Sequence, residues 1–394
     1  MVSSKMYKIL TLNNISPAGL AKLPSDTYQV SDDEASPDAI ILRSFKMHDM
    51  EIPSSLRAVG RAGAGVNNIP LDKMSQAGIP VFNAPGANAN AVKELVIASL
   101  FIAARNINQA IQYTENLSGQ DDELSKLVEA GKKKYAGFEL PGKTIGVVGL
   151  GAIGRMVANT CIDLGMNVIG FDPGLTVDGA WHLSSRIKRA NSIDELLTKV
   201  DFLTVHVPLV DATRDLINAD NVGKMKDTAV VINLARGGIV NDEAVCDAID
   251  AGDLASYVTD FPNNRTKQTP AVIGLPHLGA STGEAEDNCA VMVAEQIKDY
   301  IENGNITNSV NFPNVSMPRG GCCRLAVCNA NVPNMVGQIS TIMAQANLNI
   351  HDMINKSRGE IAYTIVDLDS QIPEDVLQTI KQLDGVMIAR AIHS

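Results

Sequence analysis

Short apolar runs separated by polar turns recur through the first part of the chain, and short helical patterns lie between them. A small α/β unit is typical of this alternation. The runs predict strands at Tyr7–Leu12, Ala39–Leu42, Leu56–Gly60 and Val81–Asn83. From Ala91 to about Asn116 the apolar residues follow one helical stripe, which predicts a single long helix and then a basic, polar connection.

A second series of apolar runs alternates with helical patterns, which predicts a parallel, doubly wound sheet. The segment Lys143–Gly154 reads as a strand, a glycine turn and the start of a helix. The following strands are predicted at Asn167–Asp172, Phe202–Val207, Ala229–Leu234, Ser256–Asp260 and Val272–Leu275. A helix from Gly283 to about Asn303 would return the chain to the first unit and make that unit discontinuous.

A segment rich in Pro, Gly and Asn, Asn311–Gly321, marks a boundary before the last part of the chain. Beyond it the patterns give the order βαββαβ, which is typical of a ferredoxin-like unit. The predicted elements are a strand at Arg324–Val327, a helix at Met335–Ala346, strands at Ile350–Lys356 and Ile361–Leu368, a helix at Pro373–Leu383 and a strand at Val386–Ala391. Such a unit leaves a sheet edge or face to cover, so we expect pairing between copies.

The chain is therefore expected to be an α/β protein with three domains. Their predicted bounds are residues 1–92 with 284–312 for a flavodoxin-like substrate-binding domain, 93–283 for a Rossmann cofactor domain, and 322–394 for the ferredoxin-like domain. A length of 394 residues is sufficient for three separate cores.

Charge and cysteine content exclude several classes of function. The net charge of −11 argues against nucleic acid or an anionic membrane surface as a partner, since both need a concentrated basic face. The start of the chain has no apolar core for a signal peptide and no stretch is long enough to cross a membrane, so we expect a cytoplasmic protein. The six cysteines lack metal-ligand spacing, so we expect reduced thiols and no metal site.

The glycine turn carries the clearest chemical signal. Gly149 allows a tight turn, Gly151 lets the backbone approach a pyrophosphate, and Gly154 lets the helix pack closely on the strand. Glycine-rich turns often only connect a strand to a helix, but here the second strand ends in Asp172. Its carboxylate can accept hydrogen bonds from ribose hydroxyls and would repel a 2′-phosphate, so NAD is the expected cofactor.

Two further residues at predicted strand ends could act on a 2-hydroxy acid. Arg236, in Asn-Leu-Ala-Arg-Gly-Gly, has the planar fork that suits a carboxylate, although a strand-end arginine is often a solvated surface charge. His277, in a glycine loop, can carry the substrate proton, although a lone histidine is usually structural. His206 also ends a strand, and we expect it to line the cofactor cleft.

These motifs resemble the D-isomer-specific 2-hydroxyacid dehydrogenases. The resemblance is carried by the glycine turn, His206-Val-Pro-Leu209, Asn233-Leu-Ala-Arg-Gly-Gly-Ile-Val240, Thr259-Asp-Phe-Pro262, Pro276-His-Leu-Gly-Ala-Ser-Thr282, Gly60-Arg-Ala-Gly-Ala-Gly-Val-Asn-Asn68 and Phe82-Asn-Ala-Pro-Gly-Ala-Asn88. The C-terminal unit is similar to an ACT regulatory domain. The resemblance covers nearly the whole chain.

The resemblance implies a set of site residues. Arg236 would bind the substrate carboxylate, and His277 would accept the proton on oxidation. NAD contacts would fall at Ala152, Ile153, Asp172, Leu234, Ala235, Asp260, Gly279 and Ala280, with His206 and Pro208 beside them. Substrate contacts would come from Arg43, Arg61 and, more weakly, Lys46 for a phosphate, and from the loop Gly63, Ala64, Gly65 and Val66 for the carboxylate.

The implied reaction is the NAD-dependent oxidation of 3-phospho-D-glycerate, the first step of L-serine biosynthesis. Another D-2-hydroxyacid dehydrogenase, acting on glycerate, glyoxylate or lactate, is the nearest alternative, and the two arginines and the ACT-like unit argue against it. An NAD-sensing protein without catalysis is a further alternative. A homodimer or homotetramer is the expected assembly.

The C-terminal unit departs in part from the ACT pattern that binds serine. Asn331 and Asn349 fit that pattern, but Asn329 stands where a histidine is expected and Asn334 where a glycine is expected. We therefore expect either an L-serine effector site or a module that only forms dimers.

The catalytic set also departs from the family. The family has a glutamate that pairs with the histidine, but no Asp or Glu lies between Asp260 and His277, where residues 263–268 read Asn-Asn-Arg-Thr-Lys-Gln. Either Asp260, Glu284 or Glu286 substitutes, or His277 works without a carboxylate partner.

An imidazolium without a carboxylate beside it is less stabilised. We therefore predict that the limb of the pH profile for carbonyl reduction on which His277 loses its proton lies at lower pH than in a relative that keeps the glutamate. Steady-state rates of both proteins across pH in matched buffers measure this. Superimposable limbs would show that another carboxylate compensates.

Overall fold

The computed structural model describes residues 6–393, which divide into two compact units. One unit combines the chain up to Asn88 with the chain from Gly283 onward, and the other is Ala89–Thr282. The separation of the first unit into a substrate-binding and a regulatory domain stays a prediction. Within the described residues no helix is long and apolar enough to span a membrane.

The first unit begins with a parallel sheet in the order β2-β1-β3-β4-β5, the flavodoxin-like order that the sequence predicts. Its elements are β1 (Tyr7–Leu12), α1 (Pro17–Leu20), β2 (Tyr28–Ser31), β3 (Ala39–Leu42), β4 (Ala58–Arg61), α2 (Leu71–Gln76) and β5 (Val81–Phe82). The central strand β3 is buried at every position, which explains its unbroken apolar run. Strand β2 was not predicted, because it lies at the sheet edge and is half exposed.

The second unit starts with helices that differ from the prediction. The expected single helix is two helices, α3 (Ala89–Ala104) and α4 (Ile107–Glu115), because Asn106 adopts a left-handed conformation with φ of 49°. Phe138 N–H then donates to Ala104 O at 2.9 Å. The predicted polar connection contains a third helix, α5 (Asp121–Gly131), which has three acidic residues in its first turn.

The rest of this unit is a parallel sheet in the order β12-β11-β10-β9-β6-β7-β8. Its elements are β6 (Thr144–Val148), α6 (Ala152–Asp163), β7 (Asn167–Phe171), α7 (Val177–Trp181), β8 (Lys188–Arg189), α8 (Ile193–Leu197), β9 (Phe202–Val205), β10 (Val230–Asn233), α9 (Asp242–Ala251), β11 (Ser256–Thr259), α10 (Asn264–Gln268) and β12 (Val272–Gly274). The order reverses between β6 and β9, and ligands of such sheets bind at the carboxyl ends of the strands beside this switch point. The Rossmann prediction is confirmed.

The chain returns to the first unit through α11 (Gly283–Asn303), as the sequence predicts. This helix covers the first sheet at very short range. A Cβ on Gly60 of β4 would lie 2.3 Å from Val293 Cγ1, and one on Gly19 of α1 would lie 2.5 Å from the backbone of Ala290. Both positions therefore require glycine for α11 to pack where it does.

The C-terminal part is an antiparallel sheet in the order β14-β15-β13-β16, covered by two helices. Its elements are β13 (Cys323–Ala330), α12 (Met335–Gln345), β14 (Ile350–Arg358), β15 (Ile361–Leu368), α13 (Glu374–Lys381) and β16 (Val386–His393). This βαββαβ arrangement confirms the ferredoxin-like prediction.

Both faces of the two central strands of the C-terminal sheet, β13 and β15, are buried, which the sequence did not reveal. On β13, Leu325 and Val327 face the helices α12 and α13, while Ala326 and Cys328 join the core built around α11. Alternate residues of a strand point to opposite faces, so an unbroken apolar strand is the expected result. The expected uncovered face is therefore covered by the same chain.

Polar side chains of the C-terminal sheet also bond to the segment that follows α11. Arg390 stacks on the ring of Tyr300 at 4.2 Å and donates to the carbonyls of Tyr300 and Ile301. Tyr363 Oη donates to Gly304 O at 2.8 Å. These bonds add to the acceptance of Gly304 N–H by Tyr300 O and supply partners for Ile301 O and Gly304 O at the end of α11.

Arg324 makes the most buried ionic contact of this region. It is 0% exposed, forms two hydrogen bonds with Asp367 at 2.6 and 2.8 Å, and donates to Asn303 O and Pro318 O. Burial alone would raise the pKa of the Asp367 carboxyl, but the bonds from Arg324 and from Gly320 N–H outweigh it and lower the pKa. The stabilisation by Asp367 is therefore fully present above the usual carboxyl pKa and is lost as pH falls through the lowered value.

We predict that Arg324→Met lowers the free energy of unfolding by about 3–5 kcal/mol, because Asp367 would remain buried without its cation. Urea denaturation at neutral pH measures the loss. The control Lys199→Met removes an exposed cation from its pair with Glu195 and should leave stability nearly unchanged. Equal effects of the two substitutions would show that the buried pair contributes nothing specific.

Candidate cofactor and substrate site

The three glycines of the turn after β6 differ in what a side chain would meet. Gly149 has φ of 85°, and a Cβ there would lie 2.6 Å from His206 O. A Cβ on Gly154 would lie 1.9 Å from Gly149 O, whereas one on Gly151 would meet nothing within 4 Å. Gly149 and Gly154 are thus required by the fold, and Gly151 leaves open space before the first turn of α6. Ala152 and Ile153, which open α6, present their N–H groups at this end, where an anion is favoured.

Asp172 follows β7 and faces an adjoining cleft of about 410 Å³. Its carboxylate accepts hydrogen bonds from Leu150 N–H and Gly174 N–H, both at 2.8 Å, which fix its orientation. The cleft is lined by Leu150, Gly170, Asp172, Pro173, Leu175, Leu183, Ile187, Lys188 and Arg189. Its apolar walls suit an adenine ring and the carboxylate suits ribose hydroxyls. The sequence analysis did not single out Lys188 and Arg189, because β8 is too short to show a strand pattern.

His206 follows β9 beside the glycine turn. Burial lowers its pKa to about 4, so the ring is neutral at physiological pH. Its Nε2 is 3.0 Å from Thr204 Oγ1, while its buried Nδ1 has no partner among the described residues. A buried nitrogen without a hydrogen-bond partner is what we expect at a site where a polar cofactor supplies the missing partner. Pro208 is two residues further along, and its carbonyl accepts the Thr213 hydroxyl.

The loop after β10 places Arg236 at the surface of the unit. Buried Asn233 holds this loop, since its amide donates to Arg236 O at 2.9 Å and accepts from Ala235 N–H at 3.2 Å. Leu234 is buried below, and Arg236 bonds only to the neighbouring Ala235 O within the described residues. Most of the guanidinium donors are therefore available to a ligand. Asn233 is a supporting residue that the sequence analysis quoted but did not assign.

His277 lies in the loop after β12 and has φ of 57°, a conformation that costs a residue other than glycine about 1–3 kcal/mol. Asp260, which is 1% exposed, holds this loop by accepting Leu278 N–H at 2.8 Å and Gly279 N–H at 2.7 Å. Ala280 follows in the same turn. The Phe261 ring contacts the His277 ring edge-on at 5.0 Å between centroids.

The same Asp260 joins the two loops, because its own N–H donates to Asn233 O at 3.1 Å. Strand β11, which ends just before Asp260, lies between β10 and β12 in the sheet. The loops that carry Arg236 and His277 are therefore fixed to one buried aspartate.

No carboxylate of the described residues bonds to the His277 ring. The segment where the family's glutamate is expected forms α10, which Asn263 caps and which Arg265 ties to Asp247 and Asp250 of α9. Of the acids that could substitute, Asp260 bonds to backbone amides, and Glu286 pairs with Arg43 at 2.5 Å within the first unit.

The candidate substrate residues of the first unit lie on two neighbouring loops. Asn13 Oδ1 accepts the N–H groups of Arg43, Ser44 and Phe45, and Arg61 Nε donates to Arg43 O at 3.0 Å. The structure thus brings Arg43 and Arg61 together, while Lys46 is exposed.

The loop Gly63–Val66, which is expected to bind the substrate carboxylate, is held by hydrogen bonds from Asn83 and Ala84. Ala84 N–H donates to Gly63 O at 3.0 Å and the Asn83 amide donates to Ala64 O at 2.6 Å. These bonds use the carbonyls. Gly63 N–H donates to Arg61 O at 2.8 Å, which leaves the N–H groups of Ala64, Gly65 and Val66 available to a ligand.

The candidate effector residues do not converge within one chain. Asn329 pairs with Ala362 at one end of β15, whereas Ile350, next to Asn349, pairs with Leu368 at the other end. Asn331 lies near Asn329 and donates to Gly359 O, and Asn349 bonds to Asp369.

Comparisons with known proteins agree with this geometry. Residues 97–279 match the family described as D-isomer specific 2-hydroxyacid dehydrogenase, NAD binding domain. The D-3-phosphoglycerate dehydrogenase of Haemophilus influenzae is 32% identical over 87% of this chain and 83% of its own length. That of Methanocaldococcus jannaschii is 36% identical over 84% of this chain, which spans 62% of that protein.

Solved structures share the fold at lower identity. D-mandelate dehydrogenase of Rhodotorula graminis gives a TM-score of 0.67 at 20% identity, over 80% of this chain and 100% of that one. A glyoxylate/hydroxypyruvate reductase of Sinorhizobium meliloti gives 0.64 at 22% identity, over 77% and 97%.

The chain therefore belongs to the D-isomer-specific 2-hydroxyacid dehydrogenase family, and residues 97–279 form its NAD-binding domain. Within that class, the relatives that it matches over most of its length are D-3-phosphoglycerate dehydrogenases.

We predict opposite effects for two substitutions in the glycine turn. Gly151→Ala should keep the melting temperature and weaken NADH binding about tenfold, because its Cβ would occupy only the open space before α6. Gly154→Ala should lower stability by about 1–3 kcal/mol, because its Cβ would clash with Gly149 O.

Thermal unfolding and NADH fluorescence titration measure the two effects. Gly223→Ala is the matched control, since a Cβ there also meets nothing within 4 Å, and it should change neither quantity. Unchanged NADH affinity in Gly151→Ala would mean that the cofactor backbone does not approach this turn.

Proposed function

We propose that this chain is an NAD-dependent dehydrogenase that oxidises 3-phospho-D-glycerate to 3-phosphohydroxypyruvate, the first step of L-serine biosynthesis. The observation that carries the proposal is buried Asp260, whose carboxylate holds the left-handed His277 loop and whose backbone N–H donates to Asn233 O, where the Arg236 loop begins. A cation and a proton carrier, fixed at the carboxyl ends of strands on either side of β11, are what a 2-hydroxy acid requires. The names of the relatives support the phosphorylated substrate.

The residues of the chain would divide the reaction between them. Arg236 binds the substrate carboxylate through its planar fork and orients the hydroxyl-bearing carbon. His277 accepts the hydroxyl proton on oxidation and returns it on reduction. When bound along the glycine turn and the Asp172 cleft, NAD supplies the acceptor for the hydride that leaves the same carbon.

Recognition of the phosphate would rest on Arg43 and Arg61. Two neighbouring guanidinium groups suit a dianion. Lactate and glyoxylate carry no phosphate that could bind them. Glu286 occupies Arg43 in this structure, so phosphate binding would exchange this carboxylate for a more highly charged partner.

We also propose assembly through the second unit. Exposed apolar side chains concentrate there, with Phe101, Ile111, Leu127 and Val128 each at least 40% exposed. A cleft of about 470 Å³ opens between Phe101, Arg105 and Ile111. Pairing of two copies across this surface would remove it from water, which supports a homodimer.

An ACT-type site for L-serine would need two copies of the chain. Asn331 and Asn349 lie at opposite ends of the C-terminal sheet, so only a neighbouring copy could supply the second asparagine to the first. Calorimetry with millimolar L-serine tests this proposal, and the absence of heat would leave the C-terminal part as a dimerisation module.

The reduction of 3-phosphohydroxypyruvate by NADH tests the function directly. We predict turnover by the unaltered chain, and loss of 10- to 100-fold in kcat/KM for this substrate in Arg43→Gln, about 1.5–3 kcal/mol for a hydrogen bond to a charged group. The rate with hydroxypyruvate, which lacks the phosphate, should change little.

Lys22→Gln is the control, because Lys22 is an exposed cation paired with Glu295 elsewhere on the first unit. Equal losses with both substrates would contradict the role of Arg43. Cofactor binding without turnover of either substrate would support an NAD-sensing protein instead.

A further inference from the structure

The first unit contains a cavity that none of the residues proposed for catalysis lines. It has a volume of about 320 Å³ and is formed where the segment after α11 passes between β5 and the tip of the β14–β15 hairpin. We call it the hairpin cavity. It is lined by Asn83, Pro85, Asn308, Ser309, Val310, Phe312, Pro313, Asn314 and Arg358.

The lining is rich in hydrogen-bond donors and contains no acid. Arg358 is anchored through Nη1 alone, which donates to Ser309 O at 3.0 Å and to Phe312 O at 3.4 Å. Its Nε and Nη2 have no partner among the described residues, and no carboxylate there pairs with it. The arginine is thus held in place while half of its fork faces the cavity.

The asparagines add oriented amide groups. Asn314 Oδ1 accepts Asn308 N–H at 3.0 Å, which holds Asn308 in a left-handed conformation with φ of 55°. The NH₂ groups of Asn308 and Asn314 then have no protein acceptor among the described residues. Donors from three side chains therefore surround one cavity in a protein whose net charge is −11.

We propose that the hairpin cavity binds a small oxyanion of the phosphate or carboxylate class. The free edge of a guanidinium takes two oxygens of such an anion, and the amides can donate to the others. A zwitterionic amino acid fits less well, because the lining offers no carboxylate for its ammonium group. The site is separate from the proposed catalytic function and does not depend on it.

The cavity is connected to the loop Gly63–Val66 by few bonds. Asn83 N–H is 3.5 Å from Asn308 O, and its side chain donates to Ala64 O at 2.6 Å. An anion that fixes Asn308 and Arg358 therefore also restrains the residue that holds this loop. Occupancy should slow amide hydrogen exchange in residues 63–66 as well as in 308–314.

Calorimetry with inorganic phosphate, and separately with succinate, at constant ionic strength tests the proposal. The Arg43→Gln background weakens the proposed phosphate contact of the substrate, and only heat that is lost on substitution in the hairpin cavity is assigned to that cavity. We expect binding in this background and at least a tenfold loss in the added variants Arg358→Gln and Asn314→Asp. The phosphate and succinate arms distinguish which class of anion the cavity prefers.

Asn314→Asp is informative even if Arg358→Gln loosens the hairpin. It keeps the acceptor for Asn308 N–H but places a negative charge in the lining, so the fold should persist while the anion is repelled. Lys356→Gln, on the same strand but outside the cavity, is the control and should bind normally. No heat with either anion, or equal affinity in Asn314→Asp, would overturn the proposal whatever the outcome of the activity assay.

Discussion

The close approach of α11 to the first sheet is the contact on which the whole first unit depends. Because Gly60 and Gly19 lack side chains, the helix lies directly on β4 and α1, and its apolar residues complete the core of that sheet. Its last carbonyls are in turn held by Arg324, Arg390 and Tyr363 of the C-terminal sheet. One helix thus packs against segments that lie far apart in the sequence. The arrangement of the first unit therefore depends on where α11 lies.

In the second unit, one buried carboxylate has the corresponding role. Asp260 satisfies two amides of the His277 loop and donates its own N–H to the Arg236 loop. The positions of these two side chains are therefore set by backbone bonds to a rigid sheet and not by bonds between the side chains themselves. The carboxylate of Asp260 bonds to backbone amides and not to the imidazole, so it orients the His277 loop without replacing the acid that is missing from residues 263–268.

Much of the fold could be predicted because buried strands carry unbroken apolar runs. Strands β1, β3 and β15 begin and end where those runs do. Gly149 and Gly154 of the turn are explained by the contacts that a Cβ would make, and Gly151 by the open space beside it. Short or half-exposed elements escaped prediction, as β2 and β8 show. The break at Asn106 also escaped, since a left-handed asparagine leaves no mark in a helical pattern. The role of Asp260 depends on the proximity of the loops that follow β10 and β12. No pattern in the sequence indicates that proximity.

The return of the chain to the first unit through α11 has a consequence for how the chain is made. Residues 89–282 have their complete core as soon as they leave the ribosome and can fold there as a unit. One face of the first sheet cannot, because the side chains that cover it come from α11, which follows residues 89–282 in the chain. Strands β1 to β5 are synthesised before residues 89–282 but complete their core after them, and their apolar side chains need protection from aggregation until α11 has been made.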